Sequence, residues 1–411
     1  MTISVVAPPR HRGEPEWPDG VLDAHTLASA GWKPVPIRQF LFKVYTRCNL
    51  NCDYCYVYEL ADQSWRSKPG IMSPEVVAAA ARRIADHAEA HELDEVRVVL
   101  HGGEPLLAGR EFLEYLVSSV SSALPPSCRA TFGMQTNGVL VTDEVVQMCA
   151  QLKISLGISL DGDRDANDRH RLYRNGKSSY DQVAEAIERV LASEHPELFT
   201  GILSTIDLVN DPVRTYEHLV SLGAPAIDFL LPHGNWTQPP PGWAGADATP
   251  HADWLIPIFD RWFDAPSREV RVRYFEEIVN LVLGGRSQVE TIGLTPATLV
   301  VVETNGMIEQ VDSLKSAFDG AAATGLSVFD SSFDDALATP GMAARQMGAG
   351  ALCQACRDCP RVTICGGGYY PHRYRQGQGF LNPSVYCADL LRLIAHIEDR
   401  VQTSLTTRVT T

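Results

Sequence analysis

The sequence predicts an α/β fold: a parallel, partly open barrel of six β/α units, a partial (β/α)6 barrel, followed by a small α+β module rich in cysteine. Three observations predict it. Strand-like and helix-like segments alternate from residue 39 to residue 231, the rhythm of a parallel sheet with crossover helices. The chemically suggestive residues of that region fall in loops after strands, the face on which barrel enzymes gather their chemistry. Beyond residue 231 the chain turns rich in Pro, Gly and Trp, and then to short strands and clustered cysteines.

The elements follow in order. Residues 1–36 carry Pro8, Pro9, Pro15, Pro18, Pro34 and Pro36 without sustained periodicity, so they read as an irregular arm. "QFLFKVYT" is the first strand. In "SPEVVAAAARRIADHAEAH", Ser73 can cap a helix, Pro74 suits its first turn, and Val77, Ala81, Ile84 and Ala88 form one apolar stripe. The rhythm continues through "EVRVVL" and "REFLEYLVSSVSSA", "ATFGMQ" and "DEVVQMCAQ", "ISLGIS" and "SYDQVAEAIERVLAS". "FTGILST" then precedes a helix opened by Asp211 and Pro212, and "AIDFLL" is the sixth strand. After a long loop and helical segments to about residue 285, "TLVVVETNGMIEQVDSL" reads as two strands joined by a tight turn at Asn305 and Gly306.

Composition excludes several classes of function. With 411 residues and 45% hydrophobic content the chain can build a large core. A formal charge of -15 repels phosphate backbones, which argues against nucleic acid as a partner. No apolar run approaches the roughly 20 residues that span a bilayer, and the N-terminus lacks the basic-then-apolar order of a secretion signal. The expectation is a cytoplasmic protein with no membrane partner, whose cysteines stay reduced.

Ten cysteines in a reducing compartment ask for metal, catalysis or burial. Cys48, Cys52 and Cys55 crowd the loop after the first strand, with no fourth ligand nearby. A structural zinc wants four ligands. An iron–sulfur cubane also takes four, so three thiolates leave one iron open to chelate a small molecule. The second group is Cys353, Cys356, Cys359 and Cys365, with Cys387 later, and four thiolates there satisfy zinc or iron–sulfur equally. Cys128 and Cys149 read as buried and inert.

The spacing C-x3-C-x2-C with an aromatic residue before its last cysteine, carried by Cys48, Cys52, Tyr54 and Cys55, resembles the radical SAM superfamily. That resemblance implies a four-iron cluster whose open iron binds S-adenosylmethionine, and cleavage of the cofactor to a 5′-deoxyadenosyl radical. It also implies cofactor contacts from Gly102, Gly103, Glu104 and Pro105 after the second strand, Asn137 after the third, and Ser159 and Asp161 after the fourth. The C-terminal group resembles the SPASM extension of peptide-modifying members, with Cys356, Cys359, Cys365 and Cys387 holding one auxiliary four-iron cluster. Tyr369 and Val311 stand where a second auxiliary cluster would need cysteines, and Cys353 is an extra thiol.

"LLPHGNW", "CGGGYYPHRY" and "NPSVYC" narrow the likeness to the FxsB-type maturases, which form cyclophanes in ribosomally made peptides. The resemblance implies a radical SAM core over 37–235, connecting segments over 236–295, a SPASM-like module over 296–395 and a tail over 396–411. It implies a precursor peptide as partner and an external one-electron reductant, and no segment of the sequence reads as a separate leader-binding domain. A formylglycine-forming sulfatase maturase, a thioether-forming maturase and a zinc-holding peptide scaffold are the alternatives. No catalytic residue is assigned. Two further features are weighed. His87 and His91, one helical turn apart, read as a solvated pair. The loop 164–177, with Arg164, Arg169, Arg171, Arg174 and Lys177, is either solvated or grips a carboxylate or an acidic leader peptide.

Overall fold

The computed structural model describes residues 24–410. One ten-stranded sheet organises them. Its strands are β1 (Gln39–Tyr45), β2 (Glu95–Gly102), β3 (Arg129–Thr136), β4 (Ile154–Ser159), β5 (Phe199–Thr205), β6 (Ala226–Leu230), β7 (Arg271–Val272), β8 (Leu299–Val302), β9 (Met307–Glu309) and β10 (Ala323–Ser327). The order is β10-β9-β8-β1-β2-β3-β4-β5-β6-β7, so β10 and β7 are free edges and the sheet is open, as a partial barrel must be. Strands β1 to β8 pair in parallel, while β9 and β10 continue antiparallel.

Helices α1 (Ala24–Ser29), α2 (Pro74–Ala90), α3 (Arg110–Ala123), α4 (Asp143–Leu152), α5 (Arg164–Asn167), α6 (Tyr180–Ala192), α7 (Pro212–Ser221), α8 (Pro250–Phe263) and α9 (Arg273–Val282) come next in chain order. Local chemistry places them. The Val76 amide donates to Ser73 Oγ at the start of α2, and Val77, Ala81, Ile84 and Ala88 are buried as one stripe. Val77 and Ile84 enter the same core as Phe40, Phe42 and Val44 of β1, a central strand with apolar side chains on both faces.

Four features depart from the sequence reading. The arm contains α1, whose Leu27 packs with Leu314 and Phe380 of the C-terminal module, while residues 1–23 lie outside the described part. Strand β7, unanticipated at two residues, extends the sheet beyond β6. The pair β8 and β9, expected in a separate module, joins the main sheet because β8 pairs with β1 over Gln39 to Phe42. The last helix, Cys387–Thr410, runs unbroken through residue 396 and packs on α8, where His396 Nε2 lies 2.8 Å from Asp260 Oδ1.

Candidate functional site

The loops at the C-terminal ends of β1 to β6 surround a cavity of about 920 Å³ whose lining includes Cys48, Cys52 and Cys55. The cysteine loop begins as β1 ends at Tyr45, and backbone turns shape it: the Cys55 amide donates to the Cys52 carbonyl at 3.1 Å and the Tyr58 amide to the Cys55 carbonyl at 3.1 Å. The loop after β2 lies directly against it, with the Gly103 amide on the Tyr45 carbonyl at 2.8 Å and the Glu104 amide on the Arg47 carbonyl at 3.0 Å. Only glycine permits this approach. A Cβ on Gly103 would sit 2.0 Å from the Tyr58 hydroxyl and 2.3 Å from Arg47 backbone, and one on Gly102 would sit 2.2 Å from the Tyr45 carbonyl oxygen.

Of the eight residues expected around the cofactor, Tyr54, Gly102, Gly103, Asn137 and Ser159 line the cavity. Glu104, Pro105 and Asp161 stand behind them, fully buried or nearly so. Glu104 accepts from Thr136 Oγ1 at 2.7 Å, from the Asn137 amide at 2.8 Å and from the Leu106 amide at 3.1 Å, so its oxygens tie the second loop to the third. Asn137 Nδ2 in turn reaches Asn49 Oδ1 at 2.7 Å and Cys48 Sγ at 3.6 Å. The Tyr54 hydroxyl donates to Asp161 Oδ2 at 2.5 Å and accepts from Arg171 Nη1 at 2.8 Å, while Asp161 Oδ1 accepts from the Thr205 amide at 2.9 Å. Tyr54 thereby pins the cysteine loop to the ends of β4 and β5.

Arg171 resolves the basic loop. It is buried, faces the cavity, and its Nε has no hydrogen-bond partner among the described residues. Arg169 instead pairs with Asp207 at 2.8 Å near the surface, and Arg164 pairs with Asp181. Burial pushes the Cys48 thiol up to about 11 and Cys52 up to about 12, and raises Cys55. The three thiols keep their protons at neutral pH unless a cation displaces them.

The C-terminal cysteines lie in a compact set of turns. Cys356 and Cys365 are buried, and Cys353, Cys359 and Cys387 are half-buried. Arg373 donates to the carbonyls of Gly366, Gly367 and Gly368 at 2.8, 3.1 and 2.5 Å, which fixes the turn after Cys365 and brings a guanidinium near the thiols. A hydrogen bond from Cys356 lowers the extra thiol Cys353 to about 6 and raises Cys356. Tyr369 shares a short hydrogen bond with Ser313, and Val311 lies beside it on the cavity wall, so neither position offers a thiol.

Two clusters of other metal-ligating side chains also need an account. Among the described residues, the ligand sets whose atoms fall within 4.8 Å of one another are His87, His91 and Asp334, and Glu303, Glu309 and Asp312, with no cysteine in either. Three cavity-facing thiols, a glycine-permitted cradle and a buried guanidinium whose Nε has no hydrogen-bond partner among the described residues fit an open four-iron cluster carrying a small zwitterion.

The two acidic or histidine sets have other partners. Glu303, Glu309 and Asp312 form a buried network with Lys43, Lys68 and Lys315, including Lys68 to Glu309 at 2.6 Å and Lys315 to Glu303 at 2.5 Å. Three cations meet three anions, so the cluster is balanced. His87, expected in solvent, is buried: its Nε2 accepts the Ile37 amide at 3.1 Å, which leaves the proton on Nδ1, 3.3 Å from Asp334. A protonated Nδ1 cannot ligate metal, so this set locks α2 to the segment at Asp334.

Sequence reasoning assigned no role to several other cavity residues, among them Tyr56, His101, Asp312, Tyr274, His233 and His372. His233 and His372 each follow a proline, in Pro232-His233 and Pro371-His372, the one local signal they share. Among the described residues no helix is long and apolar enough to cross a membrane.

Residues 42–220 match the radical SAM superfamily model. The chain is 26% identical over 275 residues, 64% of its own length and 71% of the relative's, to a cysteine-type anaerobic sulfatase-maturating enzyme of Clostridium perfringens (strain 13 / Type A). Its fold is similar to that of native anSMEcpe with bound AdoMet and Cp18Cys peptide, with TM-score 0.74 and 19% identity over 91% of this chain and 99% of that one. It is also similar to Streptococcus suis SuiB bound to precursor peptide SuiA, with TM-score 0.55 and 14% identity over 87% of this chain and 77% of that one.

Proposed function

Since the protein carries a radical SAM domain, and is a radical S-adenosylmethionine enzyme working with four-iron clusters and that cofactor, we propose that it matures a ribosomally made peptide. The reaction we assign is a carbon–carbon crosslink, a cyclophane, between a β-carbon and the aromatic ring of a nearby residue. The supporting observation is the continuous cavity. It runs from Cys48, Cys52 and Cys55 to a wall of rings, Tyr56 and His233 from the barrel and Tyr369 and His372 from the C-terminal module, and that module has Val311 and Tyr369 where a second auxiliary cluster would need thiols.

Cys48, Cys52 and Cys55 would hold the open cluster, and Cys356, Cys359, Cys365 and Cys387 a closed one, with Cys353 in reserve. When bound, the open cluster with S-adenosylmethionine supplies a radical that takes hydrogen from unactivated carbon, and the closed cluster supplies a one-electron acceptor. An external reductant provides the first electron. Around the cofactor, Gly102 and Gly103 give backbone access, Asn137, Ser159 and Arg171 face it, and Tyr54, Glu104, Pro105 and Asp161 hold those groups in register. Joining the two carbons removes two hydrogens in all, so the ring adduct must release an electron and a proton. Asp312 lines the cavity with Oδ1 free of hydrogen bonds, and Lys43 and Lys315 hold its carboxyl far below the usual range. An adduct that regains aromaticity gives up its proton readily, so a weak base suffices.

The sulfatase-maturating relative favours a second reading, oxidation of a peptide Cys or Ser to formylglycine. Mass spectrometry after anaerobic turnover separates them: a crosslinked peptide loses two hydrogens, resists fragmentation between the joined residues and gives no hydrazide-reactive aldehyde. An aldehyde product would replace the crosslinking reading. Reconstituted protein should carry about eight irons per chain, four for each cluster. Cys52→Ala should abolish 5′-deoxyadenosine formation and Cys149→Ala should not, whereas Cys359→Ala should keep some cleavage but lose the product. A colourless zinc protein would overturn the enzyme assignment.

A further inference from the structure

The cavity carries an ion pair that cofactor binding leaves unused. Asp228 of β6 and Arg273, the first residue of α9, both line it. Arg273 Nε donates to Asp228 Oδ2 at 3.0 Å and Nη2 donates to the same oxygen, so both bonds of the fork end on one atom. Asp228 Oδ1 and Arg273 Nη1 are left without a hydrogen-bond partner among the described residues. Both side chains are open to a ligand. Arg273 keeps 52% of its side chain exposed and Asp228 11%, and Asp228 Oδ1 is not one of the solvent-shielded atoms.

The surroundings narrow what the pair can hold. Leu230 and Leu231, next along the chain, and Pro239 and Pro241 of the following loop also line the cavity, and none of these side chains donates or accepts a hydrogen bond. The pair is neutral overall, so Asp228 repels an anion and Arg273 repels a cation. What it suits is a neutral group offering one N–H and one C=O on the same side. An extended peptide residue has both, since its own N–H and C=O point the same way, as they do where two residues exchange a pair of bonds in an antiparallel ladder. The carboxylate accepts the N–H, the guanidinium donates to the C=O, and bonds to charged groups are the stronger kind. A peptide that leaves water for this cavity must pair those backbone groups.

We propose that Asp228 and Arg273 clamp the backbone of one extended residue of the peptide substrate, which fixes the direction in which the chain crosses the cavity without reading that residue's side chain. The proposal rests on the peptide-maturation reading, but not on which product forms, because crosslinking and formylglycine formation both need the peptide held.

Binding is measured by saturation-transfer NMR on reconstituted protein with S-adenosylmethionine and no reductant. Three probes share a benzyl side chain. N-acetylphenylalanine N-methylamide carries one residue's N–H and C=O, O-acetylphenyllactic acid N-methylamide lacks that N–H, and N-acetylphenylalanine has a carboxylate in place of the C-terminal amide. The first should bind about 10-fold more tightly than either of the others, the worth of one hydrogen bond to a charged group. Asp228→Leu with Arg273→Met removes both partners together, so no lone charge remains, and should erase the differences. Asp228→Asn with Arg273→Gln keeps a donor and an acceptor; it should preserve the preference for the N–H over the ester oxygen and carries the test if the apolar pair does not fold. Tightest binding of the carboxylate would make this an anion site, and tighter binding of hydrocinnamamide, a primary amide, would assign the pair to a side chain. Either result, or a preference that survives Asp228→Leu with Arg273→Met, overturns the clamp. A preference that holds while no peptide is modified once reductant is added counts against peptide maturation and not against the clamp.

Discussion

Arg169 and Arg171 are two residues apart in one basic loop, yet their charges do different things. Arg169 keeps 37% of its side chain exposed beside Asp207, and exposed pairs contribute at most about 1 kcal/mol. Arg171 is buried against Tyr54 and close to Asp161 and Cys52, where removing one partner of a charge pair costs about 3–5 kcal/mol. Arg171→Met should therefore lower the free energy of unfolding by that larger amount and weaken S-adenosylmethionine binding. Arg169→Met should change stability by less than about 1 kcal/mol. Urea denaturation and equilibrium cofactor binding measure both, and equal effects would remove Arg171 from the site. The sequence shows five basic residues in this loop but not which one is buried, because burial depends on Tyr54 and Asp161, far away in sequence. Lys43, Lys68 and Lys315 were illegible for the same reason: each looks like a surface lysine until its carboxylate partners arrive from β8, β9 and the turn after them.

At the scale of elements, what was readable was local. Strands β1 to β6 and helices α2, α3, α4, α6 and α7 announce themselves by period, caps and punctuation, and the cysteine loop by its spacing, so the barrel units and the three cavity thiols could be placed from sequence. Strand β7 is two residues long and has no period to read. The pairing of β8 with β1 joins segments more than 250 residues apart, which no local pattern encodes. The loop after β2 was legible as a glycine motif, but its use was not. The glycines admit the cysteine-loop backbone as well as leaving room for a ligand. Gly103→Ala should displace that loop, lowering both the melting temperature and the yield of 5′-deoxyadenosine. Gly70→Ala is the control, since its Cβ would meet nothing within 4 Å and its backbone needs no left-handed conformation. If Gly103→Ala matched the unaltered protein in both measurements, the close approach would not matter.

Across the whole molecule, the first cysteine group follows a sheet strand, the second lies in turns and short helices beyond the last strand, and the seam between the barrel and the C-terminal module is lined by neutral histidines. His251 at the start of α8 packs 4.9 Å from Tyr386, whose other side meets His372. Burial lowers His251 to about 4 and His372 further. Both lie below the unfolded value near 6.5, so their contribution is fully present above that pH and is lost as pH falls toward the folded values. At pH 5 a histidine held at about 4 has lost about 2 kcal/mol of stability. Asp389 opposes this. It accepts the His251 and Ala252 amides at 2.8 and 2.9 Å, yet burial still raises it to about 6. The native state therefore takes up its proton before the unfolded chain does, adding stability as pH falls through 6 toward 4. Two buried histidines outweigh one aspartate, so the urea midpoint should fall between pH 7 and pH 5. Asp389→Asn can still accept both amides but cannot take up the proton, so its midpoint should fall more steeply over the same interval. Parallel curves for the two proteins would show that Asp389 is already protonated or already ionised in both states, and the proposed balance of charges at the seam would be wrong.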